Sequence, residues 1–132
     1  MIEGDHMAFL SEHAHCALKD YYRVLTGGID NYADGRELAP LLTDDLEFEG
    51  PIAGRVTGAA PFRQGVKGFI ANVSKIDVIQ EVNGPEGSAV LYEAHLPRGT
   101  VRLAEFFTFT DGKIQRLRLH YDPAAYIAAG GA

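Results

Sequence analysis

The sequence predicts an α+β fold in which helices cover one face of a curved sheet. Apolar residues recur at helical spacing in three segments before Ser74, and four runs rich in β-branched and aromatic residues follow it. A pair of short strands is expected ahead of the third helix. No linker or internal repeat divides the 132 residues, so we expect one domain with one core.

Composition restricts the classes of function. The formal net charge of -6 disfavours nucleic acids and anionic membranes, which require a basic surface. The apolar runs are too short to span a bilayer and no signal segment is evident, which predicts a cytoplasmic protein. Cys16 is the single cysteine, and its neighbours His13 and His15 lack the spacing of metal ligands on a helix. We therefore expect no metal site and no cofactor.

The first helix is predicted from an apolar face that runs from Met7 to about Leu25. Ser11 is its candidate N-cap, and two glycines after Leu25 provide an end signal. Residues 1–6 look like a short leader left by cloning, with Met7 as the natural start.

Two more helices and two short strands are expected before Ser74. The second helix is predicted over 35–42 and the third over about 60–73. The alternation in 46–49 predicts a strand, and 52–57 could form a short edge strand.

The second half of the chain is predicted to be four antiparallel strands joined by hairpin turns. Residues after Pro123 are rich in Ala and Gly, a composition that favours fraying. The single domain is thus expected to span 7–126, followed by a flexible tail at 127–132. The four strands cover 75–82, 89–96, 100–110 and 113–121.

One face of the two central strands carries a single charge. If Arg98 and Gly99 form the loop between these strands, Tyr92 pairs with Glu105. Because side chains alternate along a strand, Glu105 then shares its face with apolar residues of both strands, whereas Glu93 and its alternates point outward. The predicted inward set is Val90, Tyr92, Ala94, Leu96, Val101, Leu103, Glu105, Phe107 and Phe109, with Leu117, Leu119 and Tyr121 on the last strand.

Glu105 is the residue that indicates a function. A carboxylate among apolar side chains must be hydrogen-bonded, be paired with a cation, or become protonated, because burial disfavours its charged form. Such groups cluster in functional pockets, which predicts a ligand site. The alternative is that Glu105 lies at the sheet rim or has a purely structural hydrogen bond. Tyr92, on the neighbouring strand, and Tyr22, on the first helix, are its expected partners.

Several segments in order resemble the SnoaL-like and ketosteroid-isomerase-like branch of the nuclear transport factor two-like superfamily. The likeness extends from about Ser11 to Tyr126. It implies a cone-shaped, strongly bent sheet, mixed or antiparallel, wrapped around about three N-terminal helices, with an apolar pocket and commonly a homodimer. The segments that carry it are Leu41–Pro51, Gly58 before a helix, Glu105–Phe109 and Asp111–Ile114.

The resemblance implies no single reaction, because the superfamily includes isomerases, cyclases, epoxide hydrolases, dehydratases and binding proteins. Its steroid isomerases use an aspartate base, a tyrosine and a protonated aspartate. This sequence has Gly50 at the base position and Glu105 at the protonated-acid position. The tyrosine position matches Tyr22 if a gap is allowed and Thr26 if it is not.

We expect the pocket to take a small hydrophobic molecule that bears a carbonyl or hydroxyl group. Glu105, Tyr22 and Tyr92 are the candidate catalytic residues, with Glu105 as general acid or base of a cofactor-independent isomerase, polyketide-cyclase-like enzyme or lyase. The alternative is a binding module without catalysis, which Gly50 favours. The expected ligand-binding residues are Phe48, Phe62, Phe69, Leu103, Phe107, Leu117, Leu119 and Tyr121.

Overall fold

The computed structural model describes residues 10–131 and contains four α-helices and six β-strands. The predicted leader at 1–6 and the start at Met7 lie outside the described residues. Three short 3₁₀ turns occupy Ile29–Asn31, Ala33–Gly35 and Ala39–Leu41. The helices are α1 (Cys16–Leu25), α2 (Ala59–Gly65), α3 (Lys67–Asn72) and α4 (Pro123–Ala128), and the strands are β1 (Leu42–Gly50), β2 (Gly54–Thr57), β3 (Lys75–Asn83), β4 (Gly87–Leu96), β5 (Gly99–Thr110) and β6 (Lys113–His120).

The six strands form one curved, open sheet in the order β2-β1-β6-β5-β4-β3. β1 runs parallel to β6, and the other neighbouring pairs are antiparallel. The sheet is therefore mixed, and the predicted α+β class is confirmed. The parallel pair brings the first strand of the chain beside the last, so that both halves of the sequence contribute to one core.

The pairing of β4 with β5 differs from the prediction by two residues. The loop is Pro97–Arg98, so that Leu96 pairs with Gly99, Tyr92 with Leu103 and Val90 with Glu105. The predicted pair of Tyr92 with Glu105 was wrong. Side chains alternate with a period of two, however, so a shift of two leaves every side chain on its predicted face. All nine residues of the predicted inward set on β4 and β5 are buried.

Helix α1 begins at Cys16, nine residues later than the predicted start. Ser11 does not cap it, because the Ser11 backbone N–H and hydroxyl both donate to Glu81 on β3, at 2.8 and 3.0 Å. His15 precedes the helix in an extended conformation. The segment before α1 is thus fastened to the sheet instead of continuing the helix.

The second predicted helix is replaced by the 3₁₀ turns, and β1 begins at Leu42. Ala33, Asp34 and Gly35 have positive φ angles of 50°, 59° and 84°, a conformation that cannot continue a right-handed helix. Leu38 is nevertheless fully buried, as the apolar pattern required.

The third predicted helix is divided in two, with Val66 between α2 and α3. Gly65 precedes the division, and glycine weakens a helix interior. Phe62 and Ile70 are buried on either side of it, so both short helices still pack their apolar faces on the core.

The chain after Pro123 forms helix α4, where composition predicted fraying. Asp122 caps it, its Oδ1 accepting hydrogen bonds from the backbone N–H groups of Ala124 and Ala125 at 3.0 and 3.4 Å. Pro123 at the first helical position adds to that start signal. Tyr126 is 4% exposed and fastens the helix to the core. The flexibility of 127–132 as a tail stays a prediction.

Candidate ligand-binding site

A cavity of about 160 Å³ lies between the inward face of the sheet and the helices. Ile52, Ala53, Pro61 and Gly65 line it and are exposed, so they mark its mouth. Glu105 also lines it and is 1% exposed, which places the carboxyl group at the closed end. The cavity therefore has an apolar entrance and an acidic end.

Two tyrosines of α1 hold the carboxyl group of Glu105. The Tyr22 hydroxyl donates to Oε1 at 2.7 Å, and the Tyr21 hydroxyl donates to Oε2 at 3.1 Å. Tyr92, on β4, lies beside the same carboxyl group, and its hydroxyl also lowers the pKa of Glu105. Neighbouring positions on a helix point about 100° apart, so adjacent tyrosines can approach the two carboxyl oxygens from different directions. Their rings meet edge to face, with centroids 5.2 Å apart.

Burial raises the pKa of Glu105 above its ordinary value of 4.5. The hydroxyl groups of Tyr22, Tyr92 and Tyr21 favour the ionised form and lower the pKa of Glu105 by less than burial raises it. No lysine, arginine or histidine lines the cavity in residues 10–131, so no cation offsets the cost of burial there. The protonated acid is consequently favoured to a higher pH than in an exposed glutamate.

The tyrosines stay protonated donors. Burial, and after it the nearby charge of Glu105, raises the pKa of Tyr21, Tyr22 and Tyr92 well above the ordinary value. An ionised Glu105 accepts hydrogen bonds from Tyr21 and Tyr22 and still has lone pairs for a ligand hydroxyl. A protonated Glu105 has one O–H to donate, and a ligand carbonyl is a suitable acceptor. The acid can thus bind either kind of oxygen, each in a different protonation state.

Most of the predicted site residues line the cavity. Tyr22, Phe107 and Leu117 do not; they lie in the core behind it, 0%, 3% and 0% exposed. Tyr22 still hydrogen-bonds to Glu105 from the core. The rings of Tyr22 and Phe107 meet edge to face, with centroids 6.1 Å apart. The predicted residues that do line the cavity are Glu105, Tyr92, Phe48, Phe62, Phe69, Leu103, Leu119 and Tyr121.

The hydroxyl groups of Tyr22 and Thr26, the two candidates for the tyrosine position, have different partners, and neither residue lines the cavity. The Thr26 hydroxyl donates to the backbone carbonyl of Tyr22 at 2.8 Å, whereas the Tyr22 hydroxyl contacts Glu105. Gly50 provides no base, and a Cβ atom there would lie 3.0 Å from the Phe48 ring. Gly50 therefore leaves room for an aromatic wall in place of a carboxylate.

Sequence reasoning missed two tyrosines that line the cavity. Tyr21 belonged to the predicted apolar face of α1, and adjacent tyrosines on that helix were the signal that both could reach one carboxyl group. Tyr126 comes from α4, whose Asp-Pro start signal was available in the sequence but was outweighed by the Ala- and Gly-rich composition.

A metal-binding cluster and a membrane-spanning helix are both absent from the part of the chain that the structure describes. Within residues 10–131, no group of three or more His, Cys, Asp or Glu side chains could hold a metal ion. None of the helices in this range combines the length and the hydropathy that a membrane span requires. The homodimer and the cytoplasmic location stay predictions.

A curved, mixed six-stranded sheet with helices on one face is the cone fold of the nuclear transport factor two-like class. Within that class, the model of the SnoaL-like domain matches residues 18–117, and the chain belongs to this family. A search among curated proteins gave no match.

Solved structures share the fold at low sequence identity. A protein from Kribbella flavida DSM 17836 is 24% identical, with a TM-score of 0.76 over 90% of this chain and 94% of that one. A proposed isomerase from Rhodopseudomonas palustris is also 24% identical, with a TM-score of 0.71 over 91% and 97%. A proposed SnoaL-like polyketide cyclase from Jannaschia sp. CCS1 is 15% identical, with a TM-score of 0.66 over 92% and 95%. At these identities the likeness establishes the fold alone.

Proposed function

We propose that this SnoaL-like protein binds a small apolar molecule with one carbonyl or hydroxyl oxygen, which Glu105 and Tyr92 hold at the closed end of the cavity. The observation that carries the proposal is a fully buried carboxyl group that lines a cavity and has tyrosines, but no cation from residues 10–131, as partners. A carboxyl group with a structural role only would not need to face a cavity. Binding an oxygen there uses the hydrogen-bonding capacity that the tyrosines leave open.

A carbonyl ligand accepts a hydrogen bond from protonated Glu105 or from the Tyr92 hydroxyl, and either donor polarises the carbonyl group. Apolar walls exclude water and strengthen this interaction, because a low dielectric constant increases electrostatic energies. Phe48 and Leu103 belong to strands of the sheet and hold their wall in place. The cavity is thus able to select ligands that combine an apolar body with one oxygen.

The binding test compares ligands that differ only in the oxygen. Acetophenone and ethylbenzene are titrated into the protein by calorimetry at several pH values. One hydrogen bond contributes about 1 kcal/mol, so we expect roughly five- to tenfold tighter binding of the ketone. Ketone affinity should fall as pH rises through the pKa of Glu105, and E105Q, whose amide donates at every pH, should lose this dependence.

Tyr32→Phe is the matched control for this test. It removes a buried tyrosine hydroxyl outside the cavity, one that donates to the Arg63 carbonyl at 2.9 Å. Tyr92→Phe should weaken ketone binding and Tyr32→Phe should not. Equal affinity for ketone and hydrocarbon, in the wild type and in both variants, would contradict recognition of an oxygen.

A second candidate function is cofactor-independent proton transfer with Glu105 as general acid or base. The raised pKa of Glu105 favours it, because a group that titrates nearer neutrality can both take and return a proton. In this role ionised Glu105 removes a proton next to a carbonyl and returns it to another carbon, while Tyr92 donates to the carbonyl oxygen. No second carboxylate or histidine lines the cavity in residues 10–131, so one group performs both transfers.

The catalytic candidate is tested by proton exchange. The protein is incubated with cyclohex-2-enone in heavy water, and loss of the C–H signals next to the carbonyl is followed by proton NMR. Proton transfer predicts exchange faster than in buffer and its loss in E105Q. Exchange at the buffer rate, with binding retained, would leave the chain a binding module.

A further inference from the structure

We infer that the cavity is built for a ligand with a single ring that enters with its oxygen first, a class smaller than steroids and polycyclic polyketides. This inference rests on the proposed function and names its ligand class. It is carried by the volume of the cavity, by the separation of its polar and aromatic ends, and by the elements from which its walls come.

The volume sets the size of the guest. In another protein, an engineered apolar cavity of roughly 150 Å³ accepts benzene, whereas pockets for drug-sized ligands measure about 300–1,000 Å³. The cavity of about 160 Å³ therefore matches one ring with a few substituent atoms. A second fused ring has to displace a wall or remain outside the mouth.

The distribution of polar groups sets the orientation. Glu105, Tyr21 and Tyr92 lie at the closed end, where Glu105 is 1% exposed. Phe48 and Phe62 form an aromatic wall, with ring centroids 5.1 Å apart and planes inclined at 48°. An aromatic or unsaturated ring packs favourably on such rings. A ligand that entered with its ring first would leave its oxygen at the exposed mouth, and its ring would face Glu105 without a hydrogen bond to the carboxyl group.

The mouth is apolar and exposed, and we expect it to discriminate little between ligands of different ring number. Ile52 is 52% exposed at the turn between β1 and β2, and Pro61 and Gly65 face it from α2. A second ring that remained here would keep much of its surface in water and gain little affinity. We therefore expect the affinity of a ketone series to reach its maximum at one ring.

The walls differ in how easily they can be enlarged. Leu103 is fully buried on a central strand, so shortening it would disturb the core. Val66, between α2 and α3, is partly buried and lines the cavity, and truncating it adds space at low cost. Val73, at the other end of α3, is likewise partly buried but does not line the cavity. Val66→Ala and Val73→Ala are thus a matched pair.

The experiment measures, by calorimetry on the full chain, the affinities of acetophenone, 2-acetylnaphthalene and a four-ring 3-ketosteroid. We expect acetophenone to bind at least as tightly as the two-ring ketone and much more tightly than the steroid. Val66→Ala should raise the affinity for the two-ring ketone relative to acetophenone by roughly fivefold. Val73→Ala should leave this ratio unchanged.

The outcomes separate the inference from the proposed function. Affinity that increases from one ring to four, with a dependence on pH that E105Q removes, overturns the size limit and supports oxygen recognition by Glu105. Failure of all three ketones to bind, or affinity equal to that of the matching hydrocarbons, overturns the proposed function. An identical shift of the ratio in Val66→Ala and Val73→Ala overturns the assignment of Val66 as the size-limiting wall.

Discussion

The two faces of the sheet treat a carboxylate in opposite ways. On the inward face, Glu105 is 1% exposed and its partners are tyrosine hydroxyls. On the outward face, Glu93 lies 3.2 Å from Arg102 and Glu49 lies 3.4 Å from Arg118, and all four side chains remain between 39% and 61% exposed. The same residue type is thus paired with a cation and exposed to water outside, and is hydrogen-bonded to neutral donors inside.

The difference follows from parity along a strand. Arg102 and Glu105 lie three positions apart on β5, an odd number, so they point to opposite faces. The two faces also differ in energetic cost, since an exposed ion pair contributes about 0.2–1 kcal/mol and a buried charge without a cation costs several kcal/mol. A carboxylate that is kept on the expensive face is therefore a strong indication of a role beyond stability.

The largest effect is expected from a second acid on the inward face. Leu103 is 1% exposed and lies two positions before Glu105, so L103E buries another carboxyl group beside the first. We expect a loss of about 3–5 kcal/mol in the free energy of unfolding. The control T108E places a glutamate on the exposed outward face opposite Arg116 and should change it by less than about 0.5 kcal/mol. Similar losses in urea unfolding would mean that the faces do not differ in this way.

The next effect comes from removing one inward donor. Tyr22→Phe deletes the 2.7 Å hydrogen bond to Glu105 and should cost about 1–3 kcal/mol. Because that bond lowers the pKa of Glu105, the pKa should rise further in the variant, as measured by carboxyl carbon NMR. Tyr32→Phe loses a hydrogen bond of similar length to Arg63 and should leave the pKa of Glu105 unchanged. The same pKa in Tyr22→Phe and in the wild type would disprove the assigned contact.

A smaller effect is expected from E105Q, which keeps the shape of the side chain. The folded protein raises the pKa of Glu105 above 4.5, so its contribution to stability is complete below that value and is lost as pH rises through the folded pKa. The stability of the wild type relative to E105Q should therefore fall with rising pH. The pKa values of Asp77 and Glu81 are lowered, and their contributions are lost as pH falls, equally in both proteins. Parallel profiles of unfolding free energy against pH would refute a raised pKa.

The smallest effect is expected on the outward face. Glu49→Gln breaks a half-exposed ion pair with Arg118 and should cost between about 0.2 and 1 kcal/mol at low salt. In high salt the cost should nearly vanish, since exposed charges are screened. The effect of E105Q should persist in high salt, because Glu105 is buried. A salt dependence of equal size for both substitutions would remove the distinction between the faces.

The direction of the side chains on the sheet was predictable because apolar and polar residues alternate along each strand. Each inward residue on β4 and β5 was placed on the correct face even though Pro97, not Gly99, belongs to the loop. Parity is insensitive to an error of two positions, whereas pairing is not. The burial of Glu105 followed from the same pattern.

The helical half was less predictable because its decisive features are backbone conformations. Ala33 adopts a positive φ angle, which alanine does not signal in a sequence, and Asp34 and Gly35, whose types do favour such angles, continue it. The division at Val66 depends on how α2 and α3 each pack on the sheet. For the site, helical spacing placed Tyr21 and Tyr22 on α1, but only the distances to the carboxyl oxygens established that both contact Glu105. The roles of these residues in binding or catalysis stay predictions.

The acid and the adjustable walls of the cavity belong to different parts of the chain. Glu105 is fixed on a central strand, whereas Ile52, Val66 and Tyr126 come from a turn, a helix junction and the last helix. Mutations in those peripheral segments can accumulate during evolution without rebuilding the strand that presents the acid. Under the proposed function, substitutions at the rim therefore change which molecule fits, and the side chain that holds its oxygen stays in place.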